Sequence, residues 1–284
     1  MLPATLHTDF ARKYSCGAST VWTRPVEPVF SPVSFALALF VGMIILLALG
    51  RHLGIKRHLD TEAGERESLG TIEGALFGVF GLLMAFTFSG AAERFGEKRM
   101  LVAEEARLVE TAYLRLQVLP EKEREALQEL YRRYVDSRLE TYRRLPDMRA
   151  ATVEMAESKR LQKEIWTRAV AAARLQNADL HAGEVLLPAL NDSFNIATTR
   201  TMALQAHPPR IVFQLLFVLG LLCALLVGYR LAAGRRWNWL HILGFTVITV
   251  IVVYVILDIE YPRGGLLTLE NADQVLVKVR EDMN

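Results

Sequence analysis

The sequence predicts an all-α membrane protein with four transmembrane helices and a helical extramembrane domain inserted between the second and the third. Hydrophobic residues make up 52% of the 284 residues and the mean hydropathy is +0.22, which is too apolar for an average soluble protein. Charged residues still reach 23%, too many for a chain that lies wholly in lipid. A long charged segment separates two pairs of apolar runs, and it shows no alternation typical of β-strands.

The apolar runs define the expected order of segments. The first run, Val33–Gly50, begins beyond residue 30 and lacks a small-residue cleavage pattern, so it predicts a retained spanning helix rather than a signal peptide. We therefore expect the following segments: an N-terminal tail over 1–31, transmembrane helices 1–2 over 32–94, the helical extramembrane domain over 95–208, transmembrane helices 3–4 over 209–258, and a C-terminal tail over 259–284 that packs on the helical domain.

The second predicted span has an unusual composition. Between Gly70 and Ala92 the only charged residue is Glu73, and the length suffices to cross a bilayer. Gly70, Gly74 and Gly78 repeat every four residues, a spacing that lets helices approach closely in lipid. This row is typical of a packing helix in a bundle. Because the span continues without proline into a charged amphipathic helix, it also fits a helix that couples a pore to a domain outside it.

The segment 95–208 predicts amphipathic helices separated by prolines. Pro120 ends the first of them, and Asp147 is a candidate cap for the third. Residues at spacings of three and four predict one-sided helices. In the second helix Leu127, Tyr131, Tyr134, Tyr142 and Leu145 lie roughly on one side, and in the third, Met148–Leu175, the residues expected to face inward are Thr152, Met155, Trp166, Ala169 and Ala173.

Charge and motif content argue against several classes of protein. The net charge is +2 and basic residues are interleaved with Glu, so no nucleic-acid partner is expected. The two cysteines, Cys16 and Cys223, and the six histidines show no metal-ligand spacing. No phosphate-binding loop or nucleophile elbow is present. The sequence therefore predicts no enzyme, no metal and no cofactor.

Several polar residues are candidates for a functional site. Glu73 is an intramembrane or interfacial carboxylate, and intramembrane acids are functional candidates by default. Asp258 and Glu260 end the fourth span and form either an acidic ring, a latch to the helical domain or a solvated helix end. Glu105 and Arg115 lie on nearby faces of one helix and predict inter-helix salt bridges.

A further polar group lies in the fourth helix of the inserted domain. Arg200 with Asn191 and Asn195 predicts either an anion-accepting cluster or a hydrogen-bond network between helices.

Two motifs resemble the bacterial bestrophin-like family and, more distantly, bestrophin channels. Residues 82–120 resemble the family's first motif, a helix that contains Phe-Thr-Phe and continues into basic residues. Glu105, Thr111 and Arg115 then follow at the family's spacing and precede Leu-Pro. The run Asp258-Ile259-Glu260-Tyr261-Pro262-Arg263-Gly264-Gly265 resembles a second signature, with Asp258, Pro262 and Gly264 as its motif residues. The resemblance covers about residues 33–284 and includes the order of the spans.

The resemblance implies a homo-oligomer, a pentamer in bestrophins, whose second spanning helix lines an ion pore. Its neck would fall on Gly78, Leu82 and Phe86, and the two larger side chains suit a constriction that gates by dewetting. We expect Glu73, Ser89 and Glu260 near the pore mouths. The tail after the second signature reads LLTLENAD rather than an acidic run, so no calcium site is predicted. Selectivity among inorganic ions stays open.

Two functions of different classes follow. The first is a bestrophin-like ion channel in the lipid bilayer, with the cell (inner) membrane as its expected location. The second is a non-conducting membrane scaffold or sensor, in which Tyr131, Tyr134 and Tyr142 help the helical domain to bind a partner protein. The resemblance places the helical domain in the cytoplasm, whereas the basic residues of the two short loops argue for the opposite orientation: Arg51, Lys56, Arg57, Arg66, Arg230, Arg235 and Arg236.

Overall fold

A computed structural model describes residues 31–57, 63–145, 147–232, 239–261 and 270–283 of the chain. The helices over these residues are α1 (Pro32–Arg57), α2 (Ala63–Arg115), α3 (Glu121–Arg144), α4 (Met148–Ala172), α5 (Ala182–Gln205), α6 (Arg210–Leu231), α7 (Trp239–Glu260) and α8 (Glu270–Glu281). A short 3₁₀ turn, Leu116–Val118, follows α2. The predicted tail over 1–31, apart from Ser31, lies outside the described residues, as do Pro262 and Gly264.

The described part of the chain is helical throughout and contains no strand. Four stretches of it are long and apolar enough to cross a membrane. They lie within Pro32–Lys56, Gly70–Val118, Ala182–Leu231 and Trp239–Glu260. The predicted all-α class with four candidate spans is confirmed by this result.

The first bundle consists of α1, the N-terminal half of α2, α6 and α7. Its buried core includes Leu39 and Met43 of α1, Leu216 of α6 and Val253 of α7. Helices α1 and α6 cross closely, because Gly228 lies directly against the backbone of Leu47. A side chain at such a crossing would force the two helices apart, so glycine is required there.

The second bundle consists of the C-terminal half of α2 with α3, α4, α5 and α8. Its core is built from regularly spaced apolar residues and from three tyrosines of α3. Tyr131 and Tyr134 pack ring to ring at 5.6 Å, and Tyr134 meets Phe194 of α5 edge-on at 5.4 Å. The last helix, α8, joins this core through Leu276, which is fully buried.

Helix α2 is continuous over 53 residues and contributes to both bundles. At 1.5 Å per residue it is roughly 80 Å long. No proline interrupts it, and its side chains change from apolar to charged after Ala92. The helix therefore joins the two bundles without a break.

Two local predictions from the sequence had different outcomes. Asp147 caps α4 as expected, since its carboxylate accepts hydrogen bonds from the backbone N–H groups of Arg149 and Ala150 at 3.0 and 3.2 Å. The predicted inward face of α4 was wrong in part. Thr152 and Trp166 are exposed, and the buried row instead follows the spacing Ala151, Ser158, Leu161, Ile165, Ala169 and Ala172.

Candidate functional site

One exposed, mostly apolar face of α2 consists of Gly78, Leu82, Phe86 and Ser89. We call it the open face. These residues follow one another at three- and four-residue intervals, so they lie on one side of the helix. Leu82 is 56% exposed and Phe86 is 68% exposed. Within its most apolar window α2 is only 11% buried, whereas the other three spans are 28% to 44% buried. The first bundle therefore leaves this helix at its edge.

The glycines near the open face have no packing partner among the described residues. A Cβ atom added at Gly74, Gly78 or Gly81 would meet nothing within 4 Å. The glycines of the α1–α6 crossing behave differently, since Gly50 and Gly228 each lie against backbone atoms of the opposite helix. A row of small residues gains energy only when another helix packs on it. The open face is thus built for close approach but is unfilled within one protomer.

Other exposed apolar faces of the first bundle have a different composition. Helix α1 exposes Val33, Leu37, Val41 and Ile45, all large aliphatic residues at four-residue spacing. Such a face is typical of contact with lipid tails, which need no close approach. The contrast distinguishes the open face of α2 from an ordinary lipid-facing surface.

Glu73 does not lie on the open face. It is nine residues, or 2.5 helical turns, from Leu82, which places it on the opposite side of α2. There its carboxylate is buried and pairs with the Arg230 guanidinium of α6 at 3.1 Å. Glu73 therefore joins α2 to α6 inside the protomer, away from the open face.

Glu260 is also buried inside the protomer. Its carboxylate accepts hydrogen bonds from Arg94 Nε and Nη2 of α2 at 3.0 and 2.7 Å, and it contacts His207 Nδ1 at 3.0 Å. The Lys98 ammonium group lies 3.4 Å from the Glu260 carbonyl oxygen. Glu260 therefore connects α7, α2 and the segment before α6 inside the protomer.

Asp258, the neighbouring acidic residue of the family motif, is buried in α7. Its carboxylate accepts a hydrogen bond from the Tyr254 hydroxyl one turn earlier, at 3.3 Å. Neither Asp258 nor Glu260 forms a solvated helix end. Both acids of this signature are held inside the first bundle.

Glu105 is the centre of a buried polar network in the second bundle. It is completely buried, and its two carboxylate oxygens accept hydrogen bonds from Arg138 Nε at 2.9 Å, Arg200 Nη1 at 2.6 Å and the Tyr142 hydroxyl at 2.9 Å. Arg200 also pairs with Asp273 of α8. The Glu105 carboxylate therefore connects α2, α3 and α5, and Asp273 adds α8 to the network through Arg200.

The protonation states of this network follow from its surroundings. Burial raises the pKa of the Tyr142 hydroxyl, so the group stays protonated and remains a donor to Glu105. Burial alone would lower the pKa of Arg138, but the adjacent Glu105 carboxylate raises it above its ordinary value. Two buried cations are thus balanced by two acids, and the arrangement is a closed structural network rather than an open binding site.

The remaining motif residues are less central. The Thr111 hydroxyl donates to the Arg107 carbonyl of its own helix at 2.8 Å. Arg115 is exposed and donates to the Val185 carbonyl of α5 at 3.0 Å. The anion-accepting cluster proposed for Arg200 is wrong, because Asn191 and Asn195 lie on the exposed side of α5 while Arg200 points into the core.

The three tyrosines assigned to a partner-binding surface are core residues. Tyr131 and Tyr134 are fully buried and Tyr142 is 3% exposed. The Tyr131 hydroxyl hydrogen-bonds Ser193, and the Tyr134 hydroxyl accepts from Gln162 at 3.2 Å. The surface on which the scaffold hypothesis relied is therefore not available to a partner.

Sequence reasoning missed several members of these groups. It did not find Arg94, His207, Arg138 or Asp273 as ion partners, because each lies on a different segment of the chain from the charged residue it contacts. It also missed Glu93, which is exposed and continues the open face 11 residues after Leu82. Eleven residues are close to three full turns, so counting from Leu82 would have found it.

Metal binding finds no support in the described residues, where no group of three or more His, Cys, Asp or Glu side chains is arranged around a common point.

Four apolar helices, one of which continues into a second bundle, are the features of a membrane protein. Residues 70–272 match the model of the Bestrophin-like domain family, which is more than half of the chain. The protein belongs to the Bestrophin-like domain family. Membership of this family suggests a membrane ion channel. No curated protein and no solved structure matches the chain.

Proposed function

We propose that the protein is a homo-oligomeric ion channel in which the open face of α2 lines a pore on the shared axis. The observation that carries this proposal is the unfilled row of small residues beside exposed Leu82 and Phe86. A second copy of α2 is the partner that such a row fits, and rotational symmetry repeats the same contact until a ring closes. Family membership supports the same function.

Leu82 and Phe86 form the narrowest part of the proposed pore. Apolar side chains at a constriction gate ion flow by expelling water. Gly78 widens the pore one turn before Leu82, and Ser89 offers a hydroxyl two turns beyond it. Glu73 and Glu260 are not part of this pore, because they join helices within each protomer.

We propose an assembly of five copies around the axis, as in bestrophins. The second bundle would then lie outside the bilayer, since its exposed surface carries ion pairs such as Arg160 with Glu157 and Arg132 with Glu129. We further propose the cell (inner) membrane as the location and the cytoplasm as the compartment of the second bundle.

Disulfide crosslinking tests which face of α2 meets other copies. Leu82→Cys should give crosslinked oligomers of the full-length protein in membranes, because symmetry brings the open faces together. Leu37→Cys, on the exposed aliphatic face of α1, is the matched control and should stay monomeric on the gel. Native mass should show a closed oligomer. Crosslinking of Leu37→Cys but not of Leu82→Cys, or a monomeric mass, would overturn the proposed axis.

Conductance in planar bilayers tests the activity. Leu82→Ala should raise the single-channel conductance because it widens and wets the constriction. Leu37→Ala removes the same atoms from the face of α1 and should leave the conductance unchanged. An oligomeric protein that stays silent both as wild type and as Leu82→Ala would contradict a channel.

A further inference from the structure

The acidic and basic residues that follow the apolar part of α2 point in different directions around the helix, about 100° apart on average. The run Glu93-Arg94-Phe95-Gly96-Glu97-Lys98 contains two acids and two bases, so its sequence favours neither sign of charge. The structure separates them. Glu93 and Glu97 are exposed, whereas Lys98 is only 4% exposed and Arg94 is partly buried.

Glu260 causes this separation. Its buried carboxylate pairs with Arg94, and its carbonyl oxygen lies near Lys98, so both cations turn toward α7. Among the described residues, no ion partner faces Glu93 or Glu97. The two cations are thus withdrawn from the side of α2 that carries the two free carboxylates.

Glu93 and Glu97 lie on the same side of α2 as the open face. Glu93 lies 11 residues after Leu82, which is about 20° around the helix and roughly 16 Å along it. Glu97 lies one turn further on. The exposed residue Met100 lies on the same side of α2. The next charged residues on that side, Glu104 and Arg107, form an ion pair with an O–N distance of 2.6 Å. The remaining base nearby, Arg99, lies about 120° from Glu93 around the helix.

We infer that Glu93 forms an acidic ring at one mouth of the pore and makes the channel select cations over anions, with Glu97 adding to the same field. This inference rests on the proposed function, because the ring exists only if the open faces share an axis. A ring of carboxylates attracts cations and repels anions at a pore mouth. Such a field raises the local cation concentration about tenfold or more at low salt.

The experiment measures the K⁺ to Cl⁻ permeability ratio of full-length protein in planar bilayers, from the reversal potential in a KCl gradient. Wild type should favour K⁺. Glu93→Gln, which keeps the shape and removes the charge, should lower the ratio at least about threefold, and Glu93→Arg should bring it below one. Glu93→Asp should retain the preference. Glu121→Gln, which removes an exposed acid from α3, is the matched control and should leave the ratio unchanged.

The salt dependence of the permeability ratio is a second measurement, and a purely structural role of Glu93 would not change it. The preference of the wild type should weaken as KCl rises from about 0.15 M to about 1 M, because the screening length falls from about 8 Å to about 3 Å. Conduction that favours Cl⁻ in the wild type, or an unchanged ratio in Glu93→Gln, would overturn this inference and leave the channel intact. An oligomer that carries no current under any condition would overturn the channel and the inference together.

Discussion

Arg94 and Glu260 are 166 residues apart in the sequence and form an ion pair at the end of the apolar part of α2. Glu260 is the last residue of α7 and its side chain is fully buried, whereas that of Arg94 is 29% exposed. The pair fixes the rotation of α2 relative to α7. Because the open face lies on the other side of α2, this contact determines which residues the helix presents outward.

The first prediction concerns this contact. Glu260→Gln should reduce the free energy of unfolding by about 2–3 kcal/mol, because charge-assisted hydrogen bonds from Arg94 and His207 are weakened in a buried setting. The thermal midpoint of the detergent-solubilised protein measures the loss. Glu97→Gln removes an exposed acid from the same stretch and should leave the midpoint unchanged. Equal midpoints for both variants would contradict a structural role for Glu260.

The second prediction compares two adjacent acids of α2. Glu105→Gln should cost about 3–5 kcal/mol, since it leaves the buried guanidinium groups of Arg138 and Arg200 without their shared carboxylate. Glu104→Gln breaks only an exposed pair with Arg107, which solvent screens, and should leave the stability nearly unchanged. Chemical denaturation of both variants, followed by helical circular dichroism, measures the two free energies of unfolding. A small loss for Glu105→Gln would mean that the network relaxes around the change.

The third prediction concerns the crossing of α1 and α6. Gly228→Ala should destabilise the fold by about 1–3 kcal/mol, because the new methyl group would overlap the Leu47 carbonyl and push the helices apart. Gly244→Ala in α7 is the control, since nothing lies within 4 Å of its added Cβ atom, and it should change stability by no more than about 0.5 kcal/mol. Thermal midpoints of the two variants provide the test, and an unchanged Gly228→Ala would show that the crossing is loose.

The fourth prediction is a loss of stability at alkaline pH. Burial raises the pKa of Tyr134 from 10.0 to about 12. Between these values the unfolded chain releases the proton while the folded protein keeps it, so the unfolded state is favoured as the pH rises. The contribution of Tyr134 is therefore complete below pH 10.0 and is lost as the pH rises to about 12.

Stability measured by chemical denaturation between neutral pH and pH 12 tests this prediction. Tyr134→Phe removes the titrating hydroxyl, so the decline above pH 10 should become less steep. Tyr113→Phe removes a hydroxyl from a partly buried tyrosine and is the control. An identical pH dependence in wild type and Tyr134→Phe would show that Tyr134 does not titrate differently in the two states.

The sequence by itself determined the helices, the four candidate spans and most of their buried faces. These features depend on local periodicity and on the length of apolar runs, and both can be counted along the chain. For the same reason the cap at Asp147 was predicted correctly. The inward face of α4 was partly wrong because Trp166 and Thr152 fit the helical spacing of a face that stays exposed among the described residues.

Only the tertiary structure decided which charges pair and which side of α2 stays open. Glu73, Glu105 and Glu260 each find cations on another helix, and such pairs depend on how helices cross and rotate rather than on spacing along one chain. The same rotation turns Arg94 inward and leaves Glu93 outward, although the two are neighbours in sequence. Helix packing therefore set the polarity of the proposed pore mouth, because it left Glu93 exposed and turned the neighbouring Arg94 toward α7.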